Sequence, residues 1–366
     1  MTDRKNAMDI GSFFQGKKVL ITGHTGFKGA WLTQILLKMG ADVIGYSLAP
    51  NTNPNLYSLL ALDKKIDGHL DDIRNYSRLS EVFRKSRPEI VFHLAAQPLV
   101  RDSYDDPLNT YSTNVMGTAN VLECARLNQS VKAAVIITTD KVYENKGWIW
   151  PYRENDRLGG YDPYSSSKAC AELVTNAYVS SFLNPQKGEP HAYVASARAG
   201  NVIGGGDWSK DRLVPDMVRA FFERKGKMVL RNPEAIRPWQ HALDPLFGYL
   251  LLAKRLYERD RQAIEAWNFA PDEGNFINVE NLVKRSIQIA GKGEYSVIRD
   301  DTKHEMSVLK LDATKAKTIL GWKPILGMDE CLKWTMDWYA DYYSGKDSIE
   351  VTERQINGYM KRLGHD

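Results

Sequence analysis

The chain has no long hydrophobic run: the longest, residues 246–253, is too short to cross a bilayer. Its first ten residues contain no apolar stretch of the kind a secretory signal needs. Cysteine is scarce. The three present, Cys124, Cys170 and Cys331, are odd in number and far apart, which argues against a disulfide framework and suits free thiols in a reducing cytoplasm. Excess charge of one sign is also missing. Lys and Arg total 49 against 45 Asp and Glu, a net +4 spread along the chain, so there is no electrostatic footprint for nucleic acid or an anionic membrane. The seven histidines are scattered, none pairs with a cysteine at metal-ligand spacing, and no bound metal is expected. Internal repeats and low-complexity tracts are absent as well.

What is present suits a folded globular protein. At 366 residues, 43% hydrophobic and 26% charged, the chain has length for one large or two medium domains with real cores. It turns on the stretch 19–31, Val-Leu-Ile-Thr-Gly-His-Thr-Gly-Phe-Lys-Gly-Ala-Trp. An apolar strand, residues 19–22, runs into a turn punctuated by Gly23, Gly26 and Gly29 and then into a helical pattern. Glycines in a strand-turn-helix permit a tight turn and let backbone approach a pyrophosphate, which the N–H groups at the helix start then hold. The spacing G-x-x-G-x-x-G is a variant of the common dinucleotide fingerprint.

Further strands are expected at 41–47, 66–70, 90–95, 133–139 and 192–197, with helices at 76–87, 111–127 and 163–179 between them. This alternation predicts an α/β fold, a Rossmann-like doubly wound parallel sheet over residues 12–198, with 240–258 as a candidate return to it. Residues 199–366 read as a smaller mixed α/β lobe for substrate, with a loop at 204–208 and short strands at 228–231 and 267–270. The helix expected at 328–343 carries Leu332, Met336 and Tyr339 at helical spacing and reads as core cover. In such sheets ligands lie beyond the carboxyl ends of the strands, which puts Ala95-Ala96, Thr138-Thr139-Asp140 and the glycine turn on one rim.

The second strand ends in Gly45-Tyr46-Ser47, without the acid that commonly holds an adenosine 2'-hydroxyl. No arginine or lysine lies between Ala41 and Asp63 to meet a 2'-phosphate, so NAD is favoured over NADP. Tyr164 and Lys168, four apart, share one helix face, where an ammonium can stabilise a tyrosinate; with a positive nicotinamide close by, the phenol's pKa, about 10 when free, can fall toward neutrality and make a usable base. Thr139, Asp140 and Lys141 follow the fifth strand and suit either proton transfer or a capped turn. Arg198, Arg212 and Arg237 suit either a diphosphate or a solvated surface.

Taken together, Thr-Gly-His-Thr-Gly-Phe-Lys-Gly, His-Leu-Ala-Ala-Gln-Pro-Leu-Val-Arg, Tyr-Ser-Thr-Asn-Val-Met-Gly-Thr, Thr-Asp-Lys-Val-Tyr, Tyr-x-x-x-Lys and Arg-Ala-Gly-Asn-Val-Ile-Gly-Gly-Gly-Asp-Trp resemble the extended short-chain dehydrogenase/reductase superfamily. Thr139-Asp140-Lys141 and 204–208 are similar to its CDP-sugar 4,6-dehydratase branch. The resemblance covers residues 16–343 and implies NAD as cofactor, CDP-glucose as substrate, and a homodimer paired through 111–127 and 163–179. It implies that Gly23, Gly26, Phe27 and Gly29 line the pyrophosphate, Asp72 and Ile73 the adenine, and Leu94, Ala95, Ala96, Gln97 and Thr138 the ribose side. Thr139, Asp140, Lys141, Tyr164 and Lys168 would face the sugar, while Asn201, Arg212, Leu213, Val214, Arg237 and His304 would grip the nucleotide. The implied reaction oxidises the sugar at C4, eliminates water across C5 and C6 and reduces C6. A nucleotide-sugar 4-epimerase, which needs no acid at the 6-hydroxyl, and a non-catalytic dinucleotide sensor are the rival readings.

Overall fold

The computed structural model describes residues 10–223, 227–298 and 309–364. Its first half alternates strand and helix: β1 (Lys18–Thr22), α1 (Phe27–Lys38), β2 (Asp42–Ser47), β3 (Asp67–Leu70), α2 (Tyr76–Ser86), β4 (Ile90–His93), α3 (Gly117–Leu127), β5 (Ala133–Ile137), α4 (Pro163–Phe182) and β6 (Tyr193–Ala199). Burial drives this pattern. Along β1, Val19 and Ile21 join a core with Ala30, Trp31 and Ile35 of α1, while Leu20 between them joins Leu79 and Phe83 of α2 and Val121 of α3 on the other face. Each such side chain removed from water contributes about 1.5–3 kcal/mol, so a sheet apolar on both faces must be covered by helices on both.

The remaining elements are β7 (Asn201–Ile203), β8 (Lys227–Leu230), β9 (Ile236–His241), α5 (Leu243–Tyr257), β10 (Ala266–Phe269), β11 (Phe276–Asn278), α6 (Val279–Ala290), β12 (Glu294–Val297), α7 (Met328–Tyr343) and α8 (Ser348–Leu363). The seven-stranded sheet runs β10-β6-β5-β4-β1-β2-β3, parallel throughout. Strand order reverses between β1 and β4, and the glycine turn sits at the carboxyl end of β1 at that reversal. One strand departs from the sequence expectation. The segment read as a strand of the second lobe is β10, which pairs with β6 as the edge of the main sheet, because Trp267 and Phe269 are fully buried there. α5 packs with β5 and β6. The second lobe carries β11-β9-β7 and the parallel pair β12-β8.

Long-range polar contacts lock the lobes. Trp31 Nε1 donates to the Gly205 carbonyl at 2.9 Å, and a Cβ on Gly205 would stand 2.0 Å from the Trp338 ring. On α7, Leu332, Met336 and Tyr339 are buried as expected, and the Tyr339 hydroxyl both receives the Asp207 N–H and donates to the Asp207 carbonyl. Asp244 at the start of α5 is enclosed: its Oδ1 accepts from the Ile325 N–H and from the Tyr359 hydroxyl, both at 2.8 Å.

Burial pushes the Asp244 carboxyl up to about 7. The folded chain then keeps a proton that the unfolded chain releases near pH 4, so stability from this group is full below about pH 4 and is lost as pH rises through about 7. Asp244→Asn can keep both Oδ1 bonds without the charge. It is expected to be more stable than the native chain by about 4 kcal/mol near pH 8 and close to it near pH 4, as measured by urea unfolding at the two pH values.

Candidate active site

Gly23 has φ +78°, a backbone geometry that glycine adopts without strain, and a Cβ there would lie 2.7 Å from the Ala95 nitrogen. Gly29 is tighter still: a Cβ would lie 2.0 Å from the Gly23 carbonyl oxygen. Gly26 precedes α1 in extended conformation and supplies no side-chain cap. The first N–H groups of α1 thus emerge at the sheet reversal in a cradle that side chains would fill, which fits the pyrophosphate of a dinucleotide. Behind it, Thr22 Oγ1 and His93 Nδ1 share a bond of 2.7 Å, and Thr22 Oγ1 also accepts from the Ala95 N–H at 3.2 Å. The β4 end is held from the neighbouring helix. There the turns widen over Ser112–Met116, and Asn114 accepts the Gln97 N–H at 2.8 Å and donates to Ser167 Oγ at 2.9 Å.

On the adenine side Ser47 occupies the place of the missing acid, and its hydroxyl shares a 2.9 Å bond with Thr25 Oγ1, which donates to the Leu48 carbonyl. Asp72 lies just past β3, but its carboxylate is occupied by Arg74, with Nε at 3.0 Å from Oδ1 and Nη2 at 2.5 Å from Oδ2. That bond holds the Asp72 carboxyl below its ordinary range. Ile73 is buried against Gly117.

The reactive groups converge between β5 and α4. Asp162 caps α4 by accepting the Ser165 N–H at 2.9 Å, and Pro163 starts the helix, which puts Tyr164 in its first turn. Thr139 Oγ1 donates to Asp140 Oδ1 at 3.0 Å, and the same side chain favours ionisation of the Tyr164 phenol. Asp140 is buried, its Oδ2 has no partner, and burial raises its carboxyl against the opposing pull of Lys141 and Arg237. Lys168 Nζ donates to the Ile137 carbonyl at 3.1 Å, and burial lowers it to about 8.

In the protein alone, burial pushes Tyr164 up to about 12, and the influences opposing this are the Thr139 side chain and the Arg212 charge. Lys28, within the glycine turn, is a further cation of the site that spacing did not single out: burial, Lys168 and Arg212 together lower it to about 7. Its Nζ stands 5.9 Å from the ring of Tyr249, whose buried hydroxyl has no partner.

Arg212 stands at the start of a short helix, Leu213–Val218, in which Val214 is buried, and pairs with Asp207 at 3.3 Å. Arg237 is buried on β9 with its charge acting on Asp140, and Asn201 begins β7. Arg212 and Arg237 therefore reach the cluster electrostatically, whereas Arg198 does not belong with them. It lies buried in β6 as a bidentate partner of Glu172, at 2.9 and 3.0 Å. Thr138, at the end of β5, donates its hydroxyl to Glu172 at 2.5 Å. His304 lies outside the described residues. Glu172 and Asn114 were unforeseen, although a carboxylate four residues after Lys168 is a spacing signal and Asn114 lies within a motif already noted.

A family profile described as GDP-mannose 4,6 dehydratase matches residues 20–335. The chain is 47% identical over 351 residues to the CDP-glucose 4,6-dehydratase of Salmonella typhimurium, covering 95% of this chain and 98% of the relative. It is 25% identical to the UDP-glucose 4-epimerase of Mycoplasma pneumoniae, over 89% of this chain and 98% of that protein. Among solved structures, an epimerase from Methanothermobacter thermautotrophicus superposes with TM-score 0.78 at 23% identity, covering 95% of this chain and 97% of the other. The dTDP-glucose 4,6-dehydratase of Bacillus anthracis, solved in complex with NAD, gives 0.75 at 22%, covering 91% and 100%. These two structures share the fold, while the profile and the Salmonella relative reach further: the chain belongs to the GDP-mannose 4,6-dehydratase family of the extended short-chain dehydrogenase/reductase superfamily.

Proposed function

We propose that this chain is an NAD-dependent CDP-glucose 4,6-dehydratase, converting CDP-glucose to CDP-4-dehydro-6-deoxy-glucose and water. The 47% identity to the Salmonella enzyme supports the substrate and reaction. The observation that carries the chemistry is the buried Asp140 carboxyl, with one oxygen unpartnered and the other bonded to the Thr139 hydroxyl. A 4-epimerase has no use for an acid at the 6-hydroxyl, so Asp140 favours dehydration.

NAD at Gly23, Gly26, Phe27 and Gly29, with Leu94, Ala95, Ala96 and Gln97 along its ribose side and Ile73 at the adenine, supplies oxidation at C4 and returns the same electrons at C6. Tyr164 takes the proton of the 4-hydroxyl. Burial holds its phenol near 12, scarcely ionised at neutral pH, so the Thr139 side chain and the Arg212 charge, which both favour phenolate, govern how readily the base forms. Lys168, one turn along, adds an ammonium. A ketone at C4 acidifies the C5 proton, which Lys141 removes as an amine or whose enolate it stabilises as an ammonium. Asp140, whose carboxyl burial raises, donates in its protonated form to the departing 6-hydroxyl, which leaves as water. Arg212 and Arg237 bind the diphosphate beside Asn201, Leu213 and Val214, and His304 joins them on resemblance alone.

The same reading takes in a homodimer and a cytoplasmic setting. Met116 and Leu127 on the α3 side and Leu173 and Phe182 on α4 are each more than half exposed, an apolar surface that a second copy would cover. No helix of the described residues is long and apolar enough to cross a membrane, and the three cysteines are free.

Incubation with CDP-, dTDP-, UDP- and GDP-glucose is expected to give a product one water lighter from the CDP-sugar; a product of unchanged mass would mark an epimerase. Asp140→Asn and Lys141→Met are expected to lower product formation by about 10²–10⁴-fold while reduced cofactor, seen by its near-ultraviolet absorbance, still accumulates. Unchanged product formation removes the proton-transfer role of the residue altered. Equilibrium sedimentation at micromolar protein is expected to give twice the 41.5 kDa chain mass.

A further inference from the structure

Two side chains of α4, one helical turn apart, grip two consecutive residues at the end of β5. Lys168 donates to the carbonyl of Ile137 at 3.1 Å, and Glu172 Oε1 accepts the hydroxyl of Thr138 at 2.5 Å. The next residues are Thr139 and Asp140. The Glu172 carboxylate is fully engaged: Oε1 also receives Arg198 Nε at 2.9 Å, while Oε2 receives Ser196 Oγ at 2.5 Å and Arg198 Nη2 at 3.0 Å. Arg198 Nη1 donates in turn to the Tyr143 hydroxyl at 2.7 Å, and Tyr143 donates to Asn268 Oδ1 at 2.8 Å. One carboxylate therefore ties α4 to β5 and β6, directly behind the reactive rim.

Stability alone is a poor reason for such a pair. Side-chain exposure is 4% for Glu172 and 3% for Arg198, and desolvating two charges costs enough that apolar side chains of similar volume often serve as well. The placement gives a better reason. We propose that Glu172 is a positioning residue for the reaction, setting where Thr139 and Asp140 leave β5 and the seat and charge of the Lys168 ammonium; this rests on the dehydratase reading. The groups facing Lys168 are Lys28 from α1, His93 from β4, and Tyr164 and Glu172 on its own helix. Burial keeps His93 neutral, and Lys28 repels the ammonium. Glu172 is the group that favours the charged form. Without its carboxylate, Lys168 loses its proton at lower pH.

Thr138→Val removes one bond to Glu172 and leaves the ion pair intact. It is expected to lower kcat for CDP-glucose by about tenfold with KM and the thermal midpoint close to native. Glu172→Leu with Arg198→Met replaces the pair by apolar side chains; kcat is expected to fall by about a hundredfold and the alkaline limb of the kcat profile to move to lower pH. Glu172→Gln with Arg198→Met restores an acceptor for Thr138 without a charge, so it is expected to recover part of kcat while the limb stays displaced. Native kcat in T138V, or native kcat and pH limb in folded E172L/R198M, overturns the proposal, and if the double variants do not fold, T138V decides it alone. Native protein that leaves CDP-glucose unchanged defeats the dehydratase reading instead.

Discussion

A Cβ on Gly29 would press within 2.0 Å of the Gly23 carbonyl, so α1 meets the end of β1 at backbone contact. That approach is the constraint on which the rim is built. It aims uncapped N–H groups into the point where strand order reverses, and it brings Gly23 against Ala95 at the end of β4. Trp31, one helical stretch further on, then ties the same helix to the loop of the second lobe at Gly205. The cradle for the cofactor and the junction of the lobes are thus two ends of one short segment.

Beyond that segment, the chemistry is a contest between burial and charge. Burial resists phenolate at Tyr164, carboxylate at Asp140 and ammonium at Lys168 and Lys28, each shifted toward its neutral form. A site so arranged favours the neutral form of its carboxyl, and it needs neighbouring cations to release a proton from its phenol. The cation that acts most on Tyr164 is Arg212, from the second lobe. The lobe that carries the arginines proposed to hold the nucleotide therefore also acts on the proposed base.

Much of this was readable from residues alone, for identifiable reasons. Parallel strands buried on both faces leave continuous apolar runs, and β1, β4 and β5 announce themselves that way. The glycine turn and the Tyr164–Lys168 spacing are local, so local pattern finds them. Pairings between distant segments leave no such trace. Trp267 and Phe269 look the same whether β10 lies in a second lobe or at the edge of the main sheet, and Arg198 looks like any diphosphate-binding arginine until Glu172 stands opposite it. The desolvation that raises the Tyr164 phenol in the protein alone is likewise invisible to spacing.

The order of the strands in the chain bears on how the protein is made. β6 is left as an outer edge until β10 is translated, and the apolar face above β5 and β6 waits for α5. A ribosome that has released only the first two hundred residues therefore presents an open strand and an uncovered hydrophobic surface, a state in which nascent chains stick to one another. That exposure ends when β10 docks on β6 and completes the main sheet.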